Sequence, residues 1–163
     1  MDTNALLTKG LELSRNRTLE LLGKVEKLPD PQAALLWRPG PGRAHIGWQI
    51  VHIAITEEVF AIERLAPQKQ AAYAGLWPRF RAGSTPDDNE LPSPAAIREI
   101  LAGTRQCLLD SLQQYGLERL DEVPPPLKQR GTTVRDVYFV LAWHEAHHQG
   151  QAHLTLNLLK NRQ

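Results

Sequence analysis

Twelve prolines in 163 residues, all but Pro94 gathered into three stretches, decide what this chain can fold into. A proline has no backbone N–H and clashes with the preceding turn, so a long helix does not run through one. The first stretch holds Pro29, Pro31, Pro39 and Pro41, with Gly40 and Gly42 beside them. The second runs from Pro67 to Pro92 and includes Gly75, Pro78, Gly83 and Pro86; the third is Pro124-Pro125-Pro126 with Gly131. Between these breaks the apolar residues recur at helical spacing, and Val, Ile and Thr never form a dense alternating run. The first expected helix covers about Thr3 to Lys27, with Leu6, Leu13, Leu21 and Val25 among its apolar positions. The second covers about Ala44 to Leu65. Ser93-Pro94 starts a third, Ser as N-cap and Pro at the first helical position, which stops near Tyr115 before Gly116. Thr133 with Asp136 outlines a capping box that opens a fourth, reaching about Lys160. Four helices of roughly 20 to 28 residues predict an all-α fold, a four-helix bundle with long Pro/Gly-rich connections, in one domain over residues 1–163.

Charge narrows the partners. Nineteen Lys and Arg face 18 Asp and Glu, a formal net charge of +1. That balance supplies no basic stripe for nucleic acid and no attraction to anionic lipid. No run of about 18 apolar residues appears, so no membrane span is expected. The N-terminal residues scatter their charges and do not resemble a signal peptide. The single cysteine, Cys107, suits a reducing compartment, and the expected location is the cytoplasm. Its position off the apolar stripe of the third helix reads as a packed small side chain rather than a nucleophile.

Six histidines stand out, four of them between His144 and His153. At about 100° per residue, the fourth helix presents Val134, Val137, Tyr138, Leu141, Ala152, Thr155 and Leu159 as one stripe. His144 and His148 fall inside it, one turn apart, while His147 and His153 fall on opposite flanks. The second helix turns Trp48, Ile55, Val59 and Ile62 inward, with His52 at the centre of that face. His45 lies about 10 Å further along the axis, too far to share an ion with His52. An inward His pair at i, i+4 facing an inward His from another helix is a metal-ligand arrangement, and bundle cores are where such sites are built. Three neutral ligands leave a coordination position open, the pattern of a catalytic rather than a structural ion. Trp48, one turn before His52, reads as core or pocket wall. Trp77 and Phe80, in the second proline-rich stretch, are candidates for a pocket mouth. Phe139, Trp143, Ala146 and Gly150 make a second stripe on the fourth helix, suited to another helix of this chain or of a second copy.

His144-Glu145-Ala146-His147-His148 also spells the H-E-x-x-H pattern of zinc proteases, whose Glu is a general base. The longer form of that pattern fails, because Gly150 and His153 each fall one position early. No strand precedes the helix to hold a peptide, so a protease is not expected. Glu145 lies near the inward stripe, which leaves it a supporting or proton-transfer role.

The run W-H-E-A-H-H-Q-G-Q-A-H on the fourth helix, with W-Q-I-V-H-I-A on the second, resembles the DinB-like (YfiT-like) metalloenzyme superfamily. The stretch after Phe80, with Asp87-Asp88, is similar to that family's connector before its third helix. The resemblance covers essentially the whole chain in element order. It implies a four-helix bundle that is frequently a homodimer, with His52, His144 and His148 as ligands of a divalent metal, often zinc or nickel. Some members are transferases that use low-molecular-weight thiols such as bacillithiol or mycothiol, and others isomerise thiol adducts. Many carry a basic residue after the double His, where this chain has Gln149.

Three readings follow. In the first the chain is a metal-dependent enzyme, either a thiol-dependent transferase acting on a small-molecule substrate or a hydrolase using metal-activated water. In the second it is a non-catalytic metal- or small-molecule-binding protein of a stress response. In the third the inward histidines only hydrogen-bond within the core. No catalytic residue beyond the ligands is assigned.

Overall fold

The computed structural model describes residues 3–87 and 91–162. Its helices are α1 (Thr3–Val25), α2 (Pro31–Leu36), α3 (Ile46–Val59), α4 (Trp77–Phe80), α5 (Pro94–Gln113) and α6 (Val134–Lys160). The four long ones occupy the segments between and beside the three proline-rich stretches, α5 taking Pro94 as its first residue, and the described residues contain no strand. A π-helical turn, Phe60–Leu65, carries α3 to the length expected of it, closed by Ala66 N–H donating to the Ala61 carbonyl at 2.9 Å. Local chemistry sets the starts. Ser93 Oγ accepts from Ala96 N–H ahead of Pro94, and Thr133 and Asp136 form a reciprocal capping box. His45 caps α3, its Nδ1 accepting from Trp48 N–H at 2.9 Å.

Two short α-helices, α2 and α4, lie where only breaks were expected. Asp30-Pro31 carries the same signature as Ser93-Pro94: Asp30 accepts from Ala33 N–H and Pro31 occupies the first helical turn of α2. Proline there starts a helix rather than stopping one. α2 lies close against α3, and Gly47 permits the approach, since a Cβ at that position would run into Leu91 and the Leu35 carbonyl. The second stretch folds back on α3 through a buried carboxylate. Glu58 accepts from Ala72 N–H at 2.8 Å, Tyr73 N–H at 3.0 Å and Trp77 Nε1–H at 2.7 Å.

Cross-helix contacts give the directions. α6 runs antiparallel to α3, because His52 meets His144 while Gln49 meets His148. α1 runs antiparallel to α5, because Glu26 pairs with Arg98 while Arg105 reaches the Leu11 carbonyl. α1 and α6 run parallel, Ser14 donating to the Ala142 carbonyl and Arg15 pairing with Glu145. α3 and α5 are therefore parallel too, which is why the connection between them has to be long.

The buried residues divide into two apolar clusters. One holds Leu22 of α1, Ile50 and Ile53 of α3, Ile97 and Leu101 of α5 and Leu156 of α6; the other holds Leu11, Ile62, Leu108 and Leu141. A buried polar layer lies between them, built from one residue of each long helix. Arg15 donates to Glu57 and to Glu145, both at 2.8 Å, and Arg105 Nη2 reaches the same two carboxylates at 2.5 Å each. The arginines also cap carbonyls of the opposite helix: Arg15 donates to Leu101 O, and Arg105 to Leu11 O. Burial opposes the Arg15 charge, but Glu57 and Glu145 outweigh it and hold its pKa above the ordinary value. The buried side of α1 is Leu7, Leu11, Arg15, Thr18, Leu21, Leu22 and Val25, while Leu6 and Leu13 are 59% and 61% exposed.

Removing one carboxylate strands two buried guanidiniums on half their charge. Glu145→Gln is expected to lower the unfolding free energy by about 3–5 kcal/mol, the range for breaking a buried ion pair. Urea unfolding checks it, and a loss below about 1 kcal/mol, the scale of an exposed pair, would contradict the account.

Candidate metal centre

α3 is buried on nearly every side between Ile46 and Ile55, so whatever it carries at its middle is held in a fixed place. His52 stands there, 4% exposed, with Trp48 stacked on its ring at 4.5 Å and 8° between planes. α6 crosses it and brings His144 and His148, one turn apart on the same face. The structure thus brings together the three histidines expected to meet. One nitrogen from each of His52, His144 and His148 lies within 4.8 Å of the others, and among the described residues this is the cluster able to surround one ion.

Two of the three rings have their other nitrogen committed. The Phe80 carbonyl accepts from His52 Nδ1–H at 2.6 Å. Gln49 Oε1 accepts from His148 Nδ1–H. A carbonyl can only accept, so each bond fixes the tautomer with a free lone pair on Nε2. His52 Nε2 and His144 Nε2 are 3.1 Å apart. Two nitrogens bound at zinc's usual length in tetrahedral geometry stand about 3.3 Å apart, so this spacing suits a shared ion. The ring nitrogens committed to backbone and amide acceptors are the support that metal-ligating histidines ordinarily have.

The electrostatics favour neutral imidazole, the form that binds metal. Burial pushes His144 down to about 4, helped by His52 and His147. Burial pushes His148 down to about 3, with His144, His52 and His147 adding to it. His52 is lowered as well, by burial, against a smaller opposing pull from the Phe80 carbonyl. His148 faces a cavity of about 770 Å³. Its walls are the Pro39–Ala44 segment, Trp48, Gln49 and, from α6, Gln151, Leu154, Thr155 and Leu158.

The family model for the DinB superfamily matches residues 11–152, a span that takes in all three histidines. The chain belongs to the DinB superfamily. No curated protein and no solved structure shows a significant similarity to it.

In this DinB protein the other histidines do different work. His45, besides capping α3, donates from Nε2 to the Asp87 carbonyl at 2.9 Å and so ties the second connector to α3. His147 stacks on Trp143 at 5.3 Å and bonds Gln151 on the outer side of α6. His153 sits half-buried in a shallow pocket with Arg17, Glu20 and Gln149. Glu145 is not placed to move protons at the histidine cluster, because both its oxygens are taken by Arg15 and Arg105. Trp77 and Phe80 do not line the cavity beside His148. Phe80 is 1% exposed and packs in the core, and Trp77 is bound to Glu58. Asp87 pairs with Arg79 at 2.9 Å, whereas Asp88 lies outside the described residues. Cys107 is half-buried, and burial raises its thiol pKa, which agrees with a packing role.

Sequence reasoning missed Gln49 and Phe80. Gln49 was within reach of the periodicity, three positions before His52 and so on nearly the same face. Phe80 acts through its carbonyl, which its side chain does not advertise.

In the metal-free protein these shifts make stability depend on pH. In the unfolded chain each imidazole takes up a proton near pH 6.5, whereas folded His144 and His148 resist it down to about 4 and about 3. Unfolding therefore takes up protons as the pH falls below about 7, and stability is lost in that direction. Urea midpoints are expected to fall steadily from pH 7 to pH 5, above the range of the carboxylates, and less steeply in His148→Gln. A flat profile over that window would contradict the buried neutral triad.

Proposed function

We propose that this DinB protein is a metal-dependent enzyme in which His52, His144 and His148 hold one divalent ion, zinc or nickel. The observation that carries the proposal is the convergence of three neutral imidazoles, two with tautomers fixed by Phe80 and Gln49, beside a cavity of about 770 Å³. A bound ion supplies Lewis acidity, lowering the pKa of a small thiol, or of water, held at its open position. The chain's own residues do the rest. Trp48 packs over His52 and keeps that side of the ring dry, and Gln49 holds His148 turned inward. The cavity walls leave room for a low-molecular-weight thiol together with a small-molecule electrophile. A thiol-dependent transferase fits best, because no carboxylate of α6 is available as a base: Glu145, beside His144, is bound to two guanidiniums. A thiol activated by the ion needs no such base, whereas hydrolysis ordinarily uses one.

That same lack of a base favours a second reading, a non-catalytic metal- or small-molecule-binding protein of a stress response. We place the protein in the cytoplasm as a homodimer that binds neither nucleic acid nor membrane. No helix among the described residues is long and apolar enough to cross a membrane. The homodimer is supported by the outer stripe of α6, where Phe139 and Trp143 are 59% and 65% exposed and Ala146 and Gly150 stand open beside them.

Protein purified from metal-replete medium is expected to carry about one equivalent of zinc or nickel, the occupancy of a single three-histidine site. His148→Ala should abolish it, and Gln49→Ala should weaken metal affinity by about 10–100-fold, the usual cost of losing such support. Elemental analysis and competition with a chelator read both. Metal-dependent conjugation of a small thiol to an electrophile then separates the two readings. Metal uptake without turnover leaves the binding protein, and less than about a tenth of an equivalent removes the metal altogether.

A further inference from the structure

Toward the other end of α3 from the Pro39–Ala44 segment, a second cavity of about 250 Å³ opens between the end of α3, the residues just after α4 and the turn before α6. It shares no lining residue with the cavity beside His148. Arg64, Arg81 and Arg130 line it, among apolar walls that include Phe60 and Leu127. Among the described residues, the carboxylate within ion-pair distance of them is Glu63, 3.3 Å from Arg81 and 4.0 Å from Arg64. One paired carboxylate thus accompanies three arginines among the cavity's described surroundings, in a chain whose overall charge is only +1. Thr56 also lines the cavity, and its Oγ1 is buried with no hydrogen-bond partner. A buried hydroxyl without a partner is costly, and an oxyanion beside it would supply one.

We propose that this cavity is a binding site for a small organic anion, a carboxylate or a phosphate ester with a short apolar body. The arginines hold the charged head, since planar guanidiniums match carboxylate and phosphate oxygens. Thr56 donates to the same head, and Phe60 and Leu127 cover the body. The volume admits a ligand of about ten non-hydrogen atoms and excludes a cofactor-sized one. The site does not depend on the metal. It lies near the triad nonetheless, because Thr56 is one turn beyond His52 on α3 and Arg81 directly follows Phe80, whose carbonyl orients His52.

The test is calorimetric titration of the metal-loaded protein with benzoate and with phenyl phosphate at low ionic strength, phenol serving as the uncharged control. One equivalent of either anion is expected to bind while phenol does not, and the tighter of the two identifies the head group. Arg130→Gln should weaken binding about tenfold, the scale of one hydrogen bond to a charged group. Thr56→Val, which preserves shape and removes the stranded hydroxyl, should weaken binding several-fold while leaving the fold at least as stable. Both variants should keep the metal content of the parent, so a loss of anion binding is distinguishable from a failure of the histidine site. The proposal is overturned if neither anion binds, if phenol binds as well as they do, or if either variant binds with the affinity of the parent.

Discussion

Everything in this bundle is registered to four charges. Arg15, Glu57, Arg105 and Glu145 come one from each long helix and neutralise one another in the interior, between two apolar clusters that do not merge. Burying two ion pairs earns little net stability, because the desolvation of four charged groups offsets most of their attraction. What the quartet imposes is register. An apolar helix face can slide by a turn and still bury its leucines, but a carboxylate displaced by one turn, about 5.4 Å, loses its guanidinium. Slipping any one of the four helices therefore leaves buried charge uncompensated.

The histidine triad inherits that register. Glu145 is the residue next to His144, and Glu57 lies five positions after His52 on the same helix. Once both carboxylates are held by the same pair of arginines, α3 and α6 have no freedom left in their relative height, and His52 and His144 meet at 3.1 Å. Fine orientation is added from the far side. The second connector, pinned through Glu58 and His45, presents the Phe80 carbonyl to His52, while α3 itself offers Gln49 to His148. Helix register sets which rings meet, and the hydrogen bonds set which nitrogen each ring presents.

Much of this was legible from residue order. Proline placement located the four long helices, and the 3.6-residue period turned His52, His144 and His148 inward and His147 outward. The parts that were not legible share a physical cause. Arg15 and Arg105 look like ordinary surface residues until partners 42 and 40 positions away in the chain are known to face them. The leucines of α1 do not mark its core face by themselves, because an arginine interrupts the buried stripe while Leu6 and Leu13 stand exposed. α2 was hidden for a different reason. Pro31 was read as a breaker although Asp30 before it makes the same N-cap that identified the start of α5. The Phe80 carbonyl could not have been found at all, since every residue offers an equivalent backbone acceptor and only the folded path of the connector selects one.

The five residues His144 to His148 show how far neighbours decide what a motif does. In the protease reading the Glu faces the ion and takes a proton from bound water. On α6 the same spacing places His144 and His148 toward α3, while Glu145, about 100° further round from His144, faces α1 and α5. Those helices carry arginines at the matching height, so each oxygen of the carboxylate is held by a guanidinium. The letters of the motif are satisfied and its chemistry is not. The discriminating residues are Arg15 and Arg105, which lie far outside the motif: a buried glutamate facing two guanidiniums is a structural charge, and a histidine pair beside it has to act without it.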